Sequence, residues 1–320
     1  MSCDLAPPPG PAVPPRMAGR SIFPDPVRRW LVRKYWMVLG ELDQYSPRPL
    51  RRERFPAGTA ADLPWIAMVT PSFMQAAYLE RTMRSVLDQG YPRLRYAVQD
   101  GGSTDGSAEI LERYATRLAA RESARDGGQA EAVVRGFGKI SGDIMAWLNA
   151  DDLLMPGALA FVGNYFATHP DVDVIYGHRV MIDAQDSEIG RWVLPAHDPE
   201  FLRWRDYVPQ ETLFWRRSAW ERCGGVDPKF QFALDWDFLL RLQESGARIV
   251  RVPYFLGMFR VHAAQKTSAA YTQVGLPEIT ALRQRTHGDS FSRTELDRRV
   301  LDYRWEALRL ALLLSLGIRR

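Results

Sequence analysis

Short apolar runs that alternate with amphipathic segments restrict the fold of this chain more than any other feature of its sequence. From Trp65 the order is an apolar run (WIAMVT), a helical segment (YLERTMRSVLDQ), a second run (RYAVQD) and a second helical segment (SAEILERYATRL). A helix (QAEAVVRGFGK), a strand (DIMAWLN), a helix (MPGALAFVGNYFATH) and a strand (DVDVIYG) follow. Strands separated by helices need crossover connections, which are typical of parallel sheets covered on both faces. The sequence therefore predicts an α/β domain with a mostly parallel sheet.

The chain divides into three predicted parts. Residues 1–62 form an N-terminal extension, in which a Pro-, Gly- and Ala-rich start is expected to be disordered and a basic amphipathic helix follows (DPVRRWLVRKYWMVLGELDQY). Residues 63–275 form the main domain, and residues 276–320 form a C-terminal helical segment.

The part of the C-terminal segment that starts at Ser292 predicts one long helix. It opens with a capping box made by Ser292 and Glu295. Its apolar positions recur at helical spacing: Leu301, Trp305, Leu308 and Leu312. We expect this helix to pack on the main domain, with dimerisation and contact with an anionic membrane surface as the alternatives.

The distribution of charge argues against a nucleic-acid partner. The net charge is +4, but residues 1–60 hold ten Lys/Arg and five Asp/Glu, so the remaining 260 residues carry 32 basic and 33 acidic side chains. A nucleic-acid-binding protein is expected to carry a basic face on its folded domain. The two cysteines, Cys3 and Cys223, lie far apart and show no zinc-ligand spacing, which favours a reducing compartment. No signal-peptide core and no run of ~20 apolar residues is visible, so we expect a cytoplasmic protein.

Four polar segments fall where predicted strands end or helices begin. VTPSF follows the first strand, QDGGSTDGS follows the second, ARDGGQAEA precedes the third helix, and LNADD follows the strand that contains Trp147. Ligands of open α/β sheets bind beyond the carboxyl ends of the strands, so these segments predict one binding cleft. Within it, Asp151 and Asp152 repel one another, and a divalent cation would relieve that repulsion. The alternative is that both aspartates cap the helix that begins near Pro156.

In this order, the four segments resemble glycosyltransferase family 2. Its members are inverting enzymes of the GT-A fold, which transfer a sugar from a nucleotide diphosphate donor. The resemblance runs from about Ile66 to Ser268. It implies a Rossmann-like, mostly parallel sheet with helices on both faces, flanked here by N- and C-terminal helical appendages.

The resemblance also implies a metal site and a donor site. LNADD matches the family's DXD segment, so Asp151 is the implied ligand of Mn²⁺ or Mg²⁺ and Asp152 supports it; Asn149 takes the first position, where one negative charge is missing. Asp100 is the implied contact to the nucleobase, and MFRVHAAQKTS matches a late segment near the diphosphate. The donor-binding candidates are Thr70, Pro71, Ser72, Asp100, Asp126, Gln129, Asn149, Arg260, His262 and Lys266. The alternatives for them are turns, helix caps and a solvated basic loop.

A carboxylate in the second half of the chain is the implied catalytic base. The segment that ends in FALDWDFLLRL matches the family region in which a carboxylate precedes a helix, and Asp235 takes that place. Leu234 stands where many relatives carry an acid, so Asp237 is a second catalytic candidate. The alternative for both is a helix start with acidic first-turn residues.

These features predict an inverting glycosyltransferase that moves a sugar from a nucleotide-sugar to a glycan or lipid-linked acceptor in surface polysaccharide or lipopolysaccharide synthesis. The basic amphipathic segments predict peripheral contact with the inner face of the membrane. A nucleotidyltransferase acting on sugar phosphates and a non-catalytic nucleotide-sugar binding protein are the rival interpretations. The first of these is expected to carry a Gly-rich stretch with Lys or Arg close to the first strand, and VTPSFMQAA has none.

Overall fold

The computed structural model describes residues 44–262 and 271–318. The basic amphipathic helix expected near Trp30 lies outside the described residues. Among the described residues, nine strands form one sheet. They are β1 Ile66–Ser72, β2 Leu94–Asp100, β3 Ala120–Ser123, β4 Ile144–Trp147, β5 Leu153–Leu154, β6 Val174–Ile182, β7 Glu188–Trp192, β8 Phe214–Arg216 and β9 Ile249–Arg260.

Helices cover the sheet and extend beyond its end. They are α1 Ala76–Leu87, α2 Ser107–Arg113, α3 Gln129–Lys139, α4 Ala158–Thr168, α5 Pro199–Trp204, α6 Arg217–Cys223, α7 Leu234–Glu244, α8 Leu276–His287 and α9 Arg293–Ser315. No helix of the described residues combines the length and the apolar composition that crossing a membrane requires.

The sheet has a parallel half and a mixed half. Its order is β3-β2-β1-β4-β8-β6-β9-β5, with β7 paired to β6. The β1–β2, β1–β4 and β2–β3 pairs are parallel, as the alternation of strands and helices predicts. Beyond β4, the short strand β8 runs antiparallel to both β4 and β6, while β6 and β9 pair in parallel. The parallel half places the ends of β1, β2 and β4 side by side.

The core lies where the parallel strands are covered on both faces. All seven residues of β1 and all four of β4 are buried, as their continuous apolar runs require. Trp147 at the end of β4 packs against Trp215 of β8, with ring centroids 5.3 Å apart. The helix α3 packs closely on β1, because Gly136 faces Val69 and an added Cβ there would lie 2.5 Å from the Val69 Cγ1. Close packing of this kind fixes the helix that starts at Gln129.

The C-terminal helix α9 packs on the main domain. Ser292 caps it by accepting a hydrogen bond from the Glu295 backbone N–H at 3.3 Å, as the sequence predicts. Tyr303 stacks on Phe201 of α5, with centroids 4.6 Å apart. The predicted apolar stripe is offset from the observed one, since Leu312 is 59% exposed. The residues that face the domain are Leu296, Tyr303, Ala307, Leu310 and Leu314.

Residues 44–62 lie against the domain. Arg48 forms an isolated antiparallel bridge with Glu188 of β7. The Glu188 carboxylate, which is buried, accepts hydrogen bonds from the Tyr45 hydroxyl at 2.7 Å and from the Arg51 backbone N–H at 3.0 Å. These contacts attach the described part of the N-terminal extension to the edge of the sheet.

Candidate active site

A cleft of about 1620 Å³ opens beyond the carboxyl ends of β1 and β4. Its far wall comes from the C-terminal half of the chain, through residues such as Leu234 of α7, Leu276 of α8 and Leu296 of α9. Many of the residues expected at the site line this cleft. They are Pro71, Ser72, Asp126, Gln129, Asn149, Asp151, Asp152 and Asp235.

Two elements hold the loop that carries Asp151 and Asp152. From α1, the Thr82 hydroxyl reaches the backbone carbonyls of Ala150 and Asp152, each at 2.8 Å. From β9, the Arg260 backbone N–H donates to the Asp152 carboxylate at 3.0 Å, and its Nε donates to the Asp151 carbonyl at 2.7 Å. Helix α4 begins at Ala158 without a side-chain cap. The alternative that these aspartates cap this helix is therefore wrong.

Negative charge accumulates around Asp152. This carboxylate is 2% exposed, and burial, together with the charges of Asp151 and Glu211, holds its pKa well above the usual range. Carboxylates that are crowded and desolvated in this way favour either a proton or a cation. Mn²⁺ and Mg²⁺ prefer oxygen ligands and often bind through one or two carboxylates plus phosphate oxygens. The donor set therefore fits such an ion, although the described residues contain no cluster of three or more His, Cys, Asp or Glu side chains that would hold a metal alone.

A hydrogen-bond chain links α3 to the aspartate loop. The Gln129 amide donates to the Asn149 side-chain carbonyl at 2.7 Å, and the Asn149 amide lies 3.5 Å from the Asp152 carboxylate. Asp126 lies just before α3 and accepts a hydrogen bond from the Gly128 backbone N–H at 2.9 Å. Gly128 has a φ of +111°, which side-chain-bearing residues rarely adopt. The turn before α3 thus positions Asp126 and Gln129, and Gln129 links it to Asn149 in the loop after β4.

The end of β9 brings His262 to the aspartate loop. Its Nε2 lies 3.0 Å from the Asp151 Oδ2, and its ring packs against Tyr78 with centroids 4.7 Å apart. Arg260 is 1% exposed, and its guanidinium also pairs with Asp186 at 2.5 Å. Arg260 therefore does not line the cleft and positions the aspartate loop from behind. Lys266 lies outside the described residues.

Two of the predicted donor contacts face the interior. Thr70 is completely buried, and its hydroxyl lies 2.7 Å from the Tyr96 hydroxyl. Asp100 is also completely buried and accepts hydrogen bonds from the hydroxyls of Ser103 and Ser123, each at 2.6 Å. Neither side chain lines the cleft, whereas Ser72 does, and its buried Oγ has no hydrogen-bond partner among the described residues.

The two candidate bases occupy different environments. Asp235 lines the cleft in the first turn of α7 and accepts a hydrogen bond from the Trp236 backbone N–H at 2.9 Å. Asp237 is 1% exposed, and its two oxygens pair with Arg241 at 2.7 Å and Arg285 at 2.6 Å. This arrangement favours a structural role for Asp237, which joins α7 to α8.

The carboxylate of Glu278 occupies the place of a helix cap before α7. It accepts hydrogen bonds from the backbone N–H groups of Phe232 and Ala233, at 2.9 and 2.8 Å. Glu278 belongs to α8, so these contacts join the start of α7 to α8. Asp235 in turn accepts from a donor of the first turn itself, the Trp236 backbone N–H, so a helix start with an acidic first turn stays the alternative for it.

Sequence reasoning missed several residues of the cleft. Arg179 and Glu211 form a two-pronged ion pair, with both distances 2.7 Å, although 32 residues separate them. Gln210 donates to the Trp147 carbonyl at 2.8 Å, and its buried Oε1 has no partner among the described residues. Asp206 also lines the cleft, and burial and the charge of Asp235 hold its pKa well above the usual range. The only sequence signal was the polar pair Gln210 and Glu211 inside the apolar run that leads to β8.

Comparison with known proteins assigns the class. The family model described as "Glycosyl transferase family 2" matches residues 68–225. The chain is 30% identical over 239 residues to the O-antigen biosynthesis protein RfbC of Myxococcus xanthus, a match that covers 72% of this chain but 18% of that protein. It is 30% identical over 184 residues to an uncharacterized glycosyltransferase of Mycobacterium tuberculosis, which covers 56% of this chain and 68% of the relative.

Solved structures share the fold at low identity. TarS 1–349 of S. aureus, solved in complex with UDP-GlcNAc, has a TM-score of 0.59 at 15% identity, covering 75% of this chain and 71% of that one. The mannosyltransferase PcManGT from Pyrobaculum calidifontis, solved with GDP-Man and Mn²⁺, has a TM-score of 0.53 at 18% identity, covering 91% and 83%. The fold and the cleft define a glycosyltransferase of the GT-A fold. The chain belongs to glycosyltransferase family 2.

Proposed function

We propose that this enzyme transfers a sugar from a nucleotide diphosphate sugar to a hydroxyl acceptor with inversion at the sugar carbon. The observation that carries the proposal is that Asp151 and Asp235 line one cleft, although 84 positions separate them in the sequence. Asp151 and Asp152 lie at the ends of the parallel strands, where diphosphates bind in open α/β sheets. Asp235 lies on the wall formed by the C-terminal helices, where an acceptor can enter.

In this proposal Asp235 is the general base. Its carboxylate takes the proton of the acceptor hydroxyl while the oxygen attacks the sugar carbon and the nucleoside diphosphate departs. Ser72 and Gln210 line the cleft in which the nucleotide-sugar is proposed to bind, and each has a buried polar atom that lacks a hydrogen-bond partner among the described residues. Gln129 and Asn149 orient the aspartate loop through their hydrogen bond.

Metal dependence is part of the proposal. Asp151, supported by Asp152 and adjacent to His262, would hold Mn²⁺ or Mg²⁺. A bound ion of this kind supplies positive charge to the departing diphosphate. The crowding of Asp151 and Glu211 around Asp152 supports this assignment, as does the Mn²⁺ in the structure of PcManGT.

We further propose a role in surface polysaccharide or lipopolysaccharide synthesis, supported by the name of the Myxococcus relative. The acceptor is then a glycan or a lipid-linked glycan. Peripheral contact with the inner face of the membrane agrees with the exposure of Leu312, Leu316 and Ile318 at the end of the C-terminal helix. Co-sedimentation of the full chain with anionic vesicles tests the contact, and the absence of salt-sensitive binding would count against it.

Product analysis tests the reaction. The full chain is incubated with UDP-, GDP- and dTDP-sugars, with and without Mn²⁺, and the released nucleotide and the anomeric configuration of the product are measured. We expect nucleoside diphosphate, an inverted product and a raised melting temperature with one nucleotide class. Release of pyrophosphate would indicate nucleotidyl transfer, and nucleotide binding without turnover would indicate a binding protein.

A further inference from the structure

The turn that leads into α7 is held by a carboxylate of α8. The backbone N–H groups of Gln231, Phe232 and Ala233 donate to Glu278 at 2.8, 2.9 and 2.8 Å. The first of these bonds goes to Oε1 and the other two go to Oε2, so both oxygens are used. Successive backbone N–H groups that converge in this way form a nest for an anion. The nest is therefore filled by a side chain of another helix, 45 positions after Ala233 in the sequence.

The residues that Glu278 holds lie directly before the proposed base. Residues 231–233 belong to neither a helix nor a strand, and α7 begins at Leu234. The Ala233 carbonyl accepts the first hydrogen bond of the helix from the Asp237 backbone N–H at 3.0 Å. Asp235 follows Ala233 by two positions, so its Cα lies within about 7 Å of the residue that is held. The location of Asp235 therefore depends on this turn.

The charge of Glu278 suits its position between two helix starts. Glu278 lies in the first turn of α8, and its carboxylate reaches the residues that precede α7. Helix N-termini carry partial positive charge, and backbone N–H groups bind a carboxylate more strongly than a neutral acceptor. Glutamine offers one acceptor oxygen in place of two, and its NH₂ group would face N–H donors. An amide therefore cannot reproduce the contact.

Ring packing fixes α8 against the same segment. Gly275, the residue before α8, lies so close to Phe232 that an added Cβ would be 2.9 Å from the ring carbon Cδ1. The Tyr271 ring lies 6.0 Å from the Phe232 ring, between centroids. Phe232 and Tyr271 line the same cleft as Asp235. The part of α8 that carries Glu278 is thus packed against the wall of the cleft that contains the proposed base.

A second contact between α7 and α8 provides a comparison. Arg285, seven residues or about two turns after Glu278, pairs with Asp237 at 2.6 Å. This part of α7 has a further anchor, because the buried Trp236 donates its Nε1 to the Leu202 carbonyl at 2.8 Å. The Arg285 contact therefore acts on the body of the helix, whereas Glu278 acts on the irregular turn before it.

We propose that Glu278 is a positioning residue for Asp235. The inference rests on the proposed function, in which Asp235 is the general base. Glu278 does not line the cleft, so it acts by fixing the start of α7 and keeping the Asp235 carboxylate at the acceptor hydroxyl. A base must lie within hydrogen-bond reach of the proton that it takes, and a misplacement of about 1 Å can cost on the order of 100-fold in rate. Helix α8, which lies beyond the residues 68–225 that the family model matches, then contributes to catalysis.

A double-mutant cycle in the full chain tests this role. The donor is the nucleotide-sugar that stabilises the wild type most, and octyl glucoside, octyl galactoside and octyl mannoside are offered together with water as acceptors. Glu278→Ala is expected to lower kcat at least about tenfold and to change the donor KM less than about twofold. In a protein that already carries Asp235→Asn, the same change is expected to lower kcat less than about twofold, because the base to be positioned is absent.

Two further variants separate positioning from a loss of stability. Glu278→Gln keeps one acceptor oxygen and is expected to retain more of the wild-type kcat than Glu278→Ala. Arg285→Gln removes the other contact between α7 and α8 and is expected to keep the wild-type kcat per folded molecule. Nucleoside diphosphate with Mn²⁺ should raise the melting temperature of every variant as it does that of the wild type.

Three results would overturn the proposal: a wild-type kcat in Glu278→Ala, losses that multiply in the double variant, or equal losses in Glu278→Ala and Arg285→Gln. Each of them leaves the proposed function intact. The proposed function is tested by the wild type and by Asp235→Asn, neither of which alters Glu278. If the wild type transfers no sugar, or if Asp235→Asn keeps the wild-type kcat, the assignment of the base fails and this inference fails with it.

Discussion

The imidazole of His262 lies 3.0 Å from the carboxylate of Asp151, measured from Nε2 to Oδ2. The contact joins the end of β9 to the loop after β4, across 111 positions of sequence. Arg260, two residues before His262, fixes the same loop through its backbone N–H and its side chain. The proposed metal site therefore depends on β9 as much as on the aspartates themselves.

Asp151→Asn is expected to abolish the metal dependence of nucleotide binding. An amide keeps the size of the side chain but removes the charge that attracts a divalent ion. The rise in melting temperature given by nucleoside diphosphate should be larger with Mn²⁺ in the wild type and insensitive to Mn²⁺ in the variant. Asp88→Asn on the surface is the control and should behave as wild type. If Mn²⁺ still strengthens nucleotide binding in Asp151→Asn, the proposed metal site is not in this loop.

Asp235→Asn is expected to lower turnover by roughly 10²–10⁴-fold, the usual contribution of a general base. Donor binding should stay close to wild type, because the substitution leaves Asp151 and Asp152 unchanged. Turnover is measured as release of nucleoside diphosphate in the presence of acceptor, and donor binding by thermal shift. If the variant retains most of its turnover, Asp235 is not the general base. Asp206 is then the next carboxylate to replace.

Asp237→Asn is expected to act on stability. The carboxylate is 1% exposed and balances Arg241 and Arg285, so its loss leaves two guanidiniums without a counter-charge. Removing one member of a buried ion pair typically costs on the order of 3 kcal/mol. Urea denaturation should show that loss, while the turnover per folded molecule remains near wild type. A variant of normal stability and lost turnover would reverse the roles of Asp235 and Asp237.

The elements that the sequence predicted well are those with a strong apolar pattern. The helix predicted over residues 129–139 matches α3, because a glycine pair precedes it and its apolar face is regular. The apolar run before Asn149 likewise predicted β4. The missed strand β3 carries the polar residues Arg121 and Glu122, and lies at the edge of the sheet, where one neighbour suffices. The two-residue strand β5 is too short to give a pattern.

The site was predictable to the extent that its residues follow strands. Asp151 lies in the loop after β4 and Gln129 starts α3, so local patterns place both residues. Arg179 and Glu211 form their ion pair only because β6 lies beside the turn at residues 210–212 in the folded sheet. The sequence also could not distinguish the half-buried Asp235 from the buried Asp237, since Arg285 reaches Asp237 from another helix. Such contacts depend on packing that no local pattern encodes.

Glu188 is expected to make the free energy of unfolding depend on pH in the acid range. Although burial raises its pKa, hydrogen bonds from Arg191, Tyr45 and Arg48 lower it to about 2. The folded-state pKa lies below the ordinary value of 4.5, so the stabilisation is present above pH 4.5 and is lost as the pH falls towards 2. The difference in free energy of unfolding between wild type and Glu188→Gln should therefore shrink in that window. Urea denaturation at several pH values measures it, with Glu244→Gln on the exposed end of α7 as the control.

Two glycines of α3 are expected to respond in opposite directions to the same substitution. A Cβ at Gly136 would lie 2.5 Å from Val69 in β1, whereas a Cβ at Gly138 would have no neighbour within 4 Å. Gly136→Ala should therefore lower the free energy of unfolding by about 1–3 kcal/mol, as overpacking does. Gly138→Ala should raise it by about 0.5–1 kcal/mol, because alanine loses less backbone freedom in a helix.

The same pair of variants tests whether the packing of α3 matters to the site. Displacing α3 from β1 moves Gln129, whose side-chain amide donates a hydrogen bond to the Asn149 side-chain carbonyl at 2.7 Å. That bond holds Asn149 beside Asp151 and Asp152. Gly136→Ala is therefore expected to weaken nucleotide binding, while Gly138→Ala leaves it unchanged. Titration of each protein with the stabilising nucleotide in the presence of Mn²⁺ gives the comparison. Equal affinities in the two variants would mean that β1 and the loop after β4 position the donor without help from α3.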